Sequence, residues 1–94
     1  MPTVVHGDFE WDDEKAASNL AKHGVSFDEA ASAMTDALSV DFEDLIEPAN
    51  LVTLATSPAG RILYVVSTES SNRIRIISAR DATRQERRRY EEAG

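Results

Sequence analysis

An α+β fold, with two N-terminal helices packed on a small antiparallel sheet and a third helix at the C-terminus, is what this 94-residue chain predicts. Three observations predict it. Two helical patterns with capping signals stand before residue 35, alternating apolar runs separated by turn residues fill the stretch from about 38 to 80, and a last capping box opens an arginine-rich segment. The length suits one core, so 1–94 is read as a single domain.

Residues 1–8, MPTVVHGD, read as a loosely held lead-in. FEW then alternates as a short strand does, with Phe9 and Trp11 on one face and Trp11 as a core residue. Asp12 caps a helix over 13–23. Asp13 and Glu14 suit its positive end, Ala16, Leu20 and His23 form one stripe, and Gly24 ends it. Ser26 and Glu29 make a capping box for a second helix, in which Phe27, Ala30, Ala31 and Met34 follow the i, i+3, i+4, i+7 spacing of a helix buried on one side. Leu38, Val40 and Phe42 alternate as an edge strand, and EDLIEPAN, acidic and broken by Pro48, follows. LVTLAT, the turn SPAG and RILYVVSTE form a hairpin, and SSN leads into a further strand, RIRIISAR, to give an antiparallel meander. In that last strand Ile74 and Ile76 point one way and Arg73 and Arg75 the other, while strict alternation puts Arg80 on the parity opposite to Arg75. Thr83 and Glu86 box the start of a final helix over 84–92. Tyr90 is its only large hydrophobic residue, so the helix is expected to dock weakly.

No apolar run reaches the ~20 residues of a membrane span, and no secretion signal is present, so a cytoplasmic protein with no membrane contact is expected. With no cysteine and two isolated histidines, His6 and His23, neither a metal site nor a cofactor is expected. The formal charge is -7, yet it is divided. Residues 1–60 carry twelve acidic and two basic side chains, and residues 61–94 carry five acidic and eight basic ones. An acidic body with a cationic C-terminal third fits a polyanion met by one surface only. A charge run is also, and more often, a solvated helix face.

Two stretches together resemble a known family. They are W-D-x-x-K-A-x-x-N-x-x-K-H-G-V-S-F from Trp11 to Phe27, and, after the hairpin, R-I-I-S-A-R-x-A-T-x-x-E-R-x-x-Y from Arg75 to Tyr90. In this combination the chain resembles BrnT, the ribonuclease toxin of a type II toxin–antitoxin pair, with a RelE-like fold. The resemblance implies a small toxin that cleaves RNA and slows translation, and a BrnA-like antitoxin that neutralises it, as a heterotetramer of two toxins and two antitoxins. It also implies that the complex contacts DNA only through the antitoxin. Two features depart from the family pattern. Ser70 stands where an arginine commonly follows T-E, and the stretch 41–57 lacks the expected D-x-x-x-x-E-E-R-F run and its arginine.

RNA cleavage without a metal needs a base for the 2′-hydroxyl, a cation for the charge growing on the phosphate, and an acid for the leaving oxygen. His23 beside Lys22 is a candidate base-and-cation pair, against the plainer role of a positive group at a helix C-terminus. Arg75 and Arg80 are candidate phosphate holders, and Glu69 a candidate base, against the alternative that they pair with one another. Arg73, Arg84 and Arg88 are candidate RNA contacts, and Tyr90 a candidate stacking group, although as the sole large apolar residue of its helix it is the natural anchor. A non-catalytic binding module of the same fold, acting with a partner as a repressor component, is the competing reading.

Overall fold

Each helix begins at the residue the sequence marks as its cap. In the computed structural model, which describes residues 2–93, helix α1 (Asp13–His23) starts where the Asp12 carboxylate accepts from the Lys15 N–H at 3.2 Å. It ends at Gly24, whose N–H donates to the Leu20 carbonyl and whose φ of 69° turns the chain out of the helix in a backbone state that a Cβ would strain. Helix α2 (Phe27–Ala33) starts with Ser26 Oγ accepting from the Glu29 N–H. Helix α3 (Arg84–Ala93) opens on a complete capping box, with Thr83 Oγ1 accepting from the Glu86 N–H and Glu86 Oε1 accepting from the Thr83 N–H.

The strands are β1 (Thr3–His6), β2 (Phe9–Asp12), β3 (Val40–Glu43), β4 (Leu51–Thr56), β5 (Ile62–Ser70) and β6 (Arg73–Asp81). They form one sheet in the order β1-β2-β6-β5-β4-β3. Two expectations are corrected here. The chain begins with two strands rather than with helices: the supposed lead-in is β1, folded back on β2 about Gly7, whose φ of 63° permits the tight turn. The sheet is also mixed rather than antiparallel, because β2 lies parallel to β6, with Glu10 opposite Arg75. The meander β4-β5-β6 and the edge strand β3 are as expected.

One face of the sheet is covered by α1 and α2. There Trp11, Val25, Phe27, Ala30, Ala31, Leu63, Val65, Ile76 and Ala79 are buried together, with Trp11 meeting Phe27 edge-on at 6.0 Å between ring centres. Asn19 fixes α1 to β6 from within this core. Its amide donates to the carbonyls of Ala79 and Val25 at 2.8 and 2.9 Å, and its carbonyl accepts the Ala79 N–H at 3.2 Å. Beyond the end of β2, this one side chain does for β6 what a neighbouring strand would do. Arg61 joins the C-terminal end of α1 to the sheet by donating to the Gly24 carbonyl and to both Glu29 carboxylate oxygens at 2.6–2.7 Å.

The opposite face carries buried Val52 and Leu54 and is crossed by α3. As expected of a helix with so little apolar surface, α3 has no buried residue and is held at a few points. The Tyr90 hydroxyl donates to Asp36 and accepts from Thr56 Oγ1, and Arg89 lies 4.0 Å over the Phe42 ring. Tyr90→Phe removes this junction at a cost of about 0.5–1.5 kcal/mol. The expected result is faster amide exchange in α3 with little change elsewhere; uniform protection across α3 and the sheet would show that the hydroxyl does not anchor the helix.

Acid should loosen the same supports. Hydrogen bonds from Arg61, then from Ser57, hold Glu29 below its usual range of about 4.5 against the penalty of burial. Hydrogen bonds from the Thr56 N–H, the Tyr90 hydroxyl and the Leu38 N–H hold Asp36 below 3.8. Burial pushes Glu86 up, but the Arg80 fork and the Thr83 N–H more than reverse this and leave it below 4.5. Each folded-state pKa is depressed, so the stability it contributes is present above the ordinary carboxyl range and lost as pH falls through the depressed values. Denaturant midpoints are therefore expected to hold at neutral pH and fall progressively below about pH 4.5.

Candidate functional site

A bulge decides where the arginines go. Along β5, Tyr64, Val66, Thr68 and Ser70 share one face, and their partners on β6 are Arg80, Ser78, Arg75 and Arg73. The register shifts between Val66 and Ser67, where Ile77 is the extra residue of β6. Strict alternation would have put Arg80 on the other side from Arg75; the bulge returns it, and all three strand arginines lie on the face opposite α1 and α2. Four residues of β5 separate the partners of Arg75 and Arg80, or about 13 Å.

At one end of this row, Arg75 Nη1 donates to Glu10 Oε2 at 2.6 Å, and Ser70 Oγ donates to the same oxygen at 3.2 Å. The Glu10 side chain is 12% exposed and that of Arg75 32%, so the pair is half-sheltered yet reachable. In the middle, Arg80 lies 3.9 Å over the Tyr64 ring and donates to both carboxylate oxygens of Glu86 at 2.8 and 3.0 Å. Beyond it, α3 exposes Arg84, Arg87 and Arg88, which make no ion pair among the described residues; nor does the exposed Arg73.

The other nominated residues lie elsewhere. Glu69 pairs with Ile74 and so faces the helix side of the sheet, where it lines a groove with Asp41 and Glu43. It is separated from the arginine row by the sheet itself. His23 and Lys22 end α1 beside Gly24 and Arg61, where β5 begins and β6 ends, whereas Arg75 sits near the start of β6. Ala79, on which α1 docks, is already about 10 Å along β5 from the partner of Arg75. The Tyr90 hydroxyl is engaged with Asp36 and Thr56 under α3. Sequence reasoning missed Glu10 and Tyr64 as members of the arginine face. The alternation of FEW could have turned Glu10 away from Phe9 and Trp11, but nothing local pairs it with a residue 65 positions on.

Among the described residues no group of three or more His, Asp or Glu is placed to hold a metal ion, and no helix is long and apolar enough to cross a membrane.

The site thus lies on a mixed sheet that carries α1 and α2 on one face and the strand arginines with α3 on the other. The fold matches the crystal structure of the Brucella abortus ribonuclease toxin BrnT with a TM-score of 0.64 and 22% identity, over 79% of this chain and 94% of that one. The family model for the ribonuclease toxin BrnT of type II toxin–antitoxin systems matches residues 11–86, and the chain belongs to that family. No curated protein matches it.

Proposed function

We propose that this chain is a cytoplasmic endoribonuclease toxin that cuts RNA on its arginine face without a metal, and that a BrnA-like antitoxin neutralises it in a two-plus-two complex bound to DNA only through the antitoxin. The single observation that carries the reading is the half-sheltered Glu10–Arg75 pair, set in a row of cations. In the reaction Glu10 takes the proton of the ribose 2′-hydroxyl, whose oxygen attacks the adjacent phosphorus. Arg75 moves from the carboxylate to the phosphate oxygens as negative charge grows there. The bond to the 5′-oxygen breaks, and water protonates the leaving oxygen. Arg73, Arg84 and Arg88 hold flanking phosphates, which is work for exposed cations without local partners.

A second reading rests on Ser70 and on the carboxylates already engaging Arg75 and Arg80. With the Arg80 fork occupied and Arg75 engaged through Nη1, and a serine where the family commonly has an arginine, the chain would serve as a binding partner that does not cut. Inducing the chain alone in bacteria, with and without its neighbouring gene, separates the two. Growth arrest with fragmented RNA, relieved by the neighbour, is expected for the toxin. Normal growth with intact RNA and soluble protein would favour the non-catalytic module.

A further inference from the structure

At the far end of the sheet from β1, strand β3 presents an outer edge that no strand pairs among the described residues. Its side chains alternate cleanly. Asp41 and Glu43 are exposed on the helix-side face, while Val40 and Phe42 are half-buried on the other. The hairpin tip that follows is ordered by Asp44, whose side chain accepts from the N–H groups of Ile46 and Glu47, and it holds Leu45 and Ile46 in solvent at 96% and 94% exposure. Leu38, just before the strand, is 63% exposed. Asp41 and Glu43 continue into the groove of about 510 Å³ that also includes Glu69, with no basic residue in its lining.

An unpaired edge offers backbone hydrogen bonds to an added strand. Exposed leucine and isoleucine at both ends of that edge give such a strand apolar surface to cover. The occupant's chemistry follows from the alternation. Residues opposite Asp41 and Glu43 must be basic, and those opposite Val40 and Phe42 apolar. A second copy of this chain does not fit, because antiparallel pairing of two β3 edges sets Asp41 against Glu43.

We propose that β3 and the Leu45–Ile46 tip anchor the antitoxin, through an extended segment in which basic and apolar residues alternate. This rests on the toxin reading for the source of the segment. It differs from simple blockade of the cations, since the anchor is acidic and lies beside the arginine face rather than on it. One toxin surface thus holds the partner while another meets RNA.

The test is to purify the chain carrying Glu43→Lys, the chain carrying Leu45→Ser with Ile46→Ser, and the chain carrying all three, each with the fold checked by circular dichroism. Affinity for the neighbour-encoded protein is measured by calorimetry, and RNA cleavage is measured separately without it. The expected result is affinity at least about tenfold weaker in each variant, with cleavage unchanged. Wild-type affinity in the triple variant overturns the anchor, as does a concentration-dependent dimer of the chain alone that these changes abolish. If the wild type cuts no RNA, the ribonuclease reading fails, while the calorimetry still decides the anchor.

Discussion

Glu10→Gln is expected to lower the rate of RNA cleavage by about 10²–10⁴-fold while leaving the fold in place. The amide keeps the size of the carboxylate and can still accept from Arg75 and Ser70, but it cannot take a proton from the 2′-hydroxyl. Arg75 is exposed enough for water to make up part of what the lost charge supplied. The comparison is therefore cleaner than Arg75→Ala, which removes a phosphate holder and also strands a carboxylate that is only 12% exposed. The measurement is single-turnover cleavage of a short RNA, beside a thermal melt. Cleavage within threefold of wild type would remove Glu10 from the chemistry and leave its pairing with Arg75 as a structural contact.

Asn19→Leu is expected to be the most damaging single change to stability. It removes three buried hydrogen bonds and leaves both backbone groups of Ala79 and the Val25 carbonyl without partners in the core. An unsatisfied buried group costs about 1–3 kcal/mol, so the sum is a large part of the roughly 5–15 kcal/mol that holds a domain of this size. A melting temperature lower by more than about 10 °C is expected. A shift of a degree or two would mean that α1 is held on β6 by apolar contact alone.

The parts of the fold legible in the sequence are those set by neighbours in the chain. Asp12, Ser26, Thr83 and Gly24 mark helix ends through hydrogen bonds spanning three or four residues, and all sit where the local pattern places them. Strands β4 and β5 are joined by a short turn and announce themselves by alternation. What could not be read depends on distant pairing. TVVH is too short a run to be recognised until β2 lies beside it, and the parallel match of β2 with β6 joins the two ends of the chain. For the site, the sequence correctly gathers Arg73 and Arg75 on one face, but it places Arg80 wrongly, because a bulge cannot be counted from an alternating pattern. It also sets Glu69 among the arginines, since proximity along the chain says nothing about which side of a sheet a residue faces.

The parallel closure of β2 on β6 also sets when, during synthesis, the Glu10–Arg75 pair can form. Glu10 and Arg75 are 65 residues apart, so at about 5–20 residues per second the first leaves the ribosome roughly 3–13 seconds before the second. Throughout that interval β2 has no β6 to pair with and Glu10 has no Arg75 beside it. On the proposed mechanism, cleavage can arise only once Arg75 has been made and β6 has closed on β2. The mechanism proposed above therefore predicts that a product ending before Arg73 cuts no RNA.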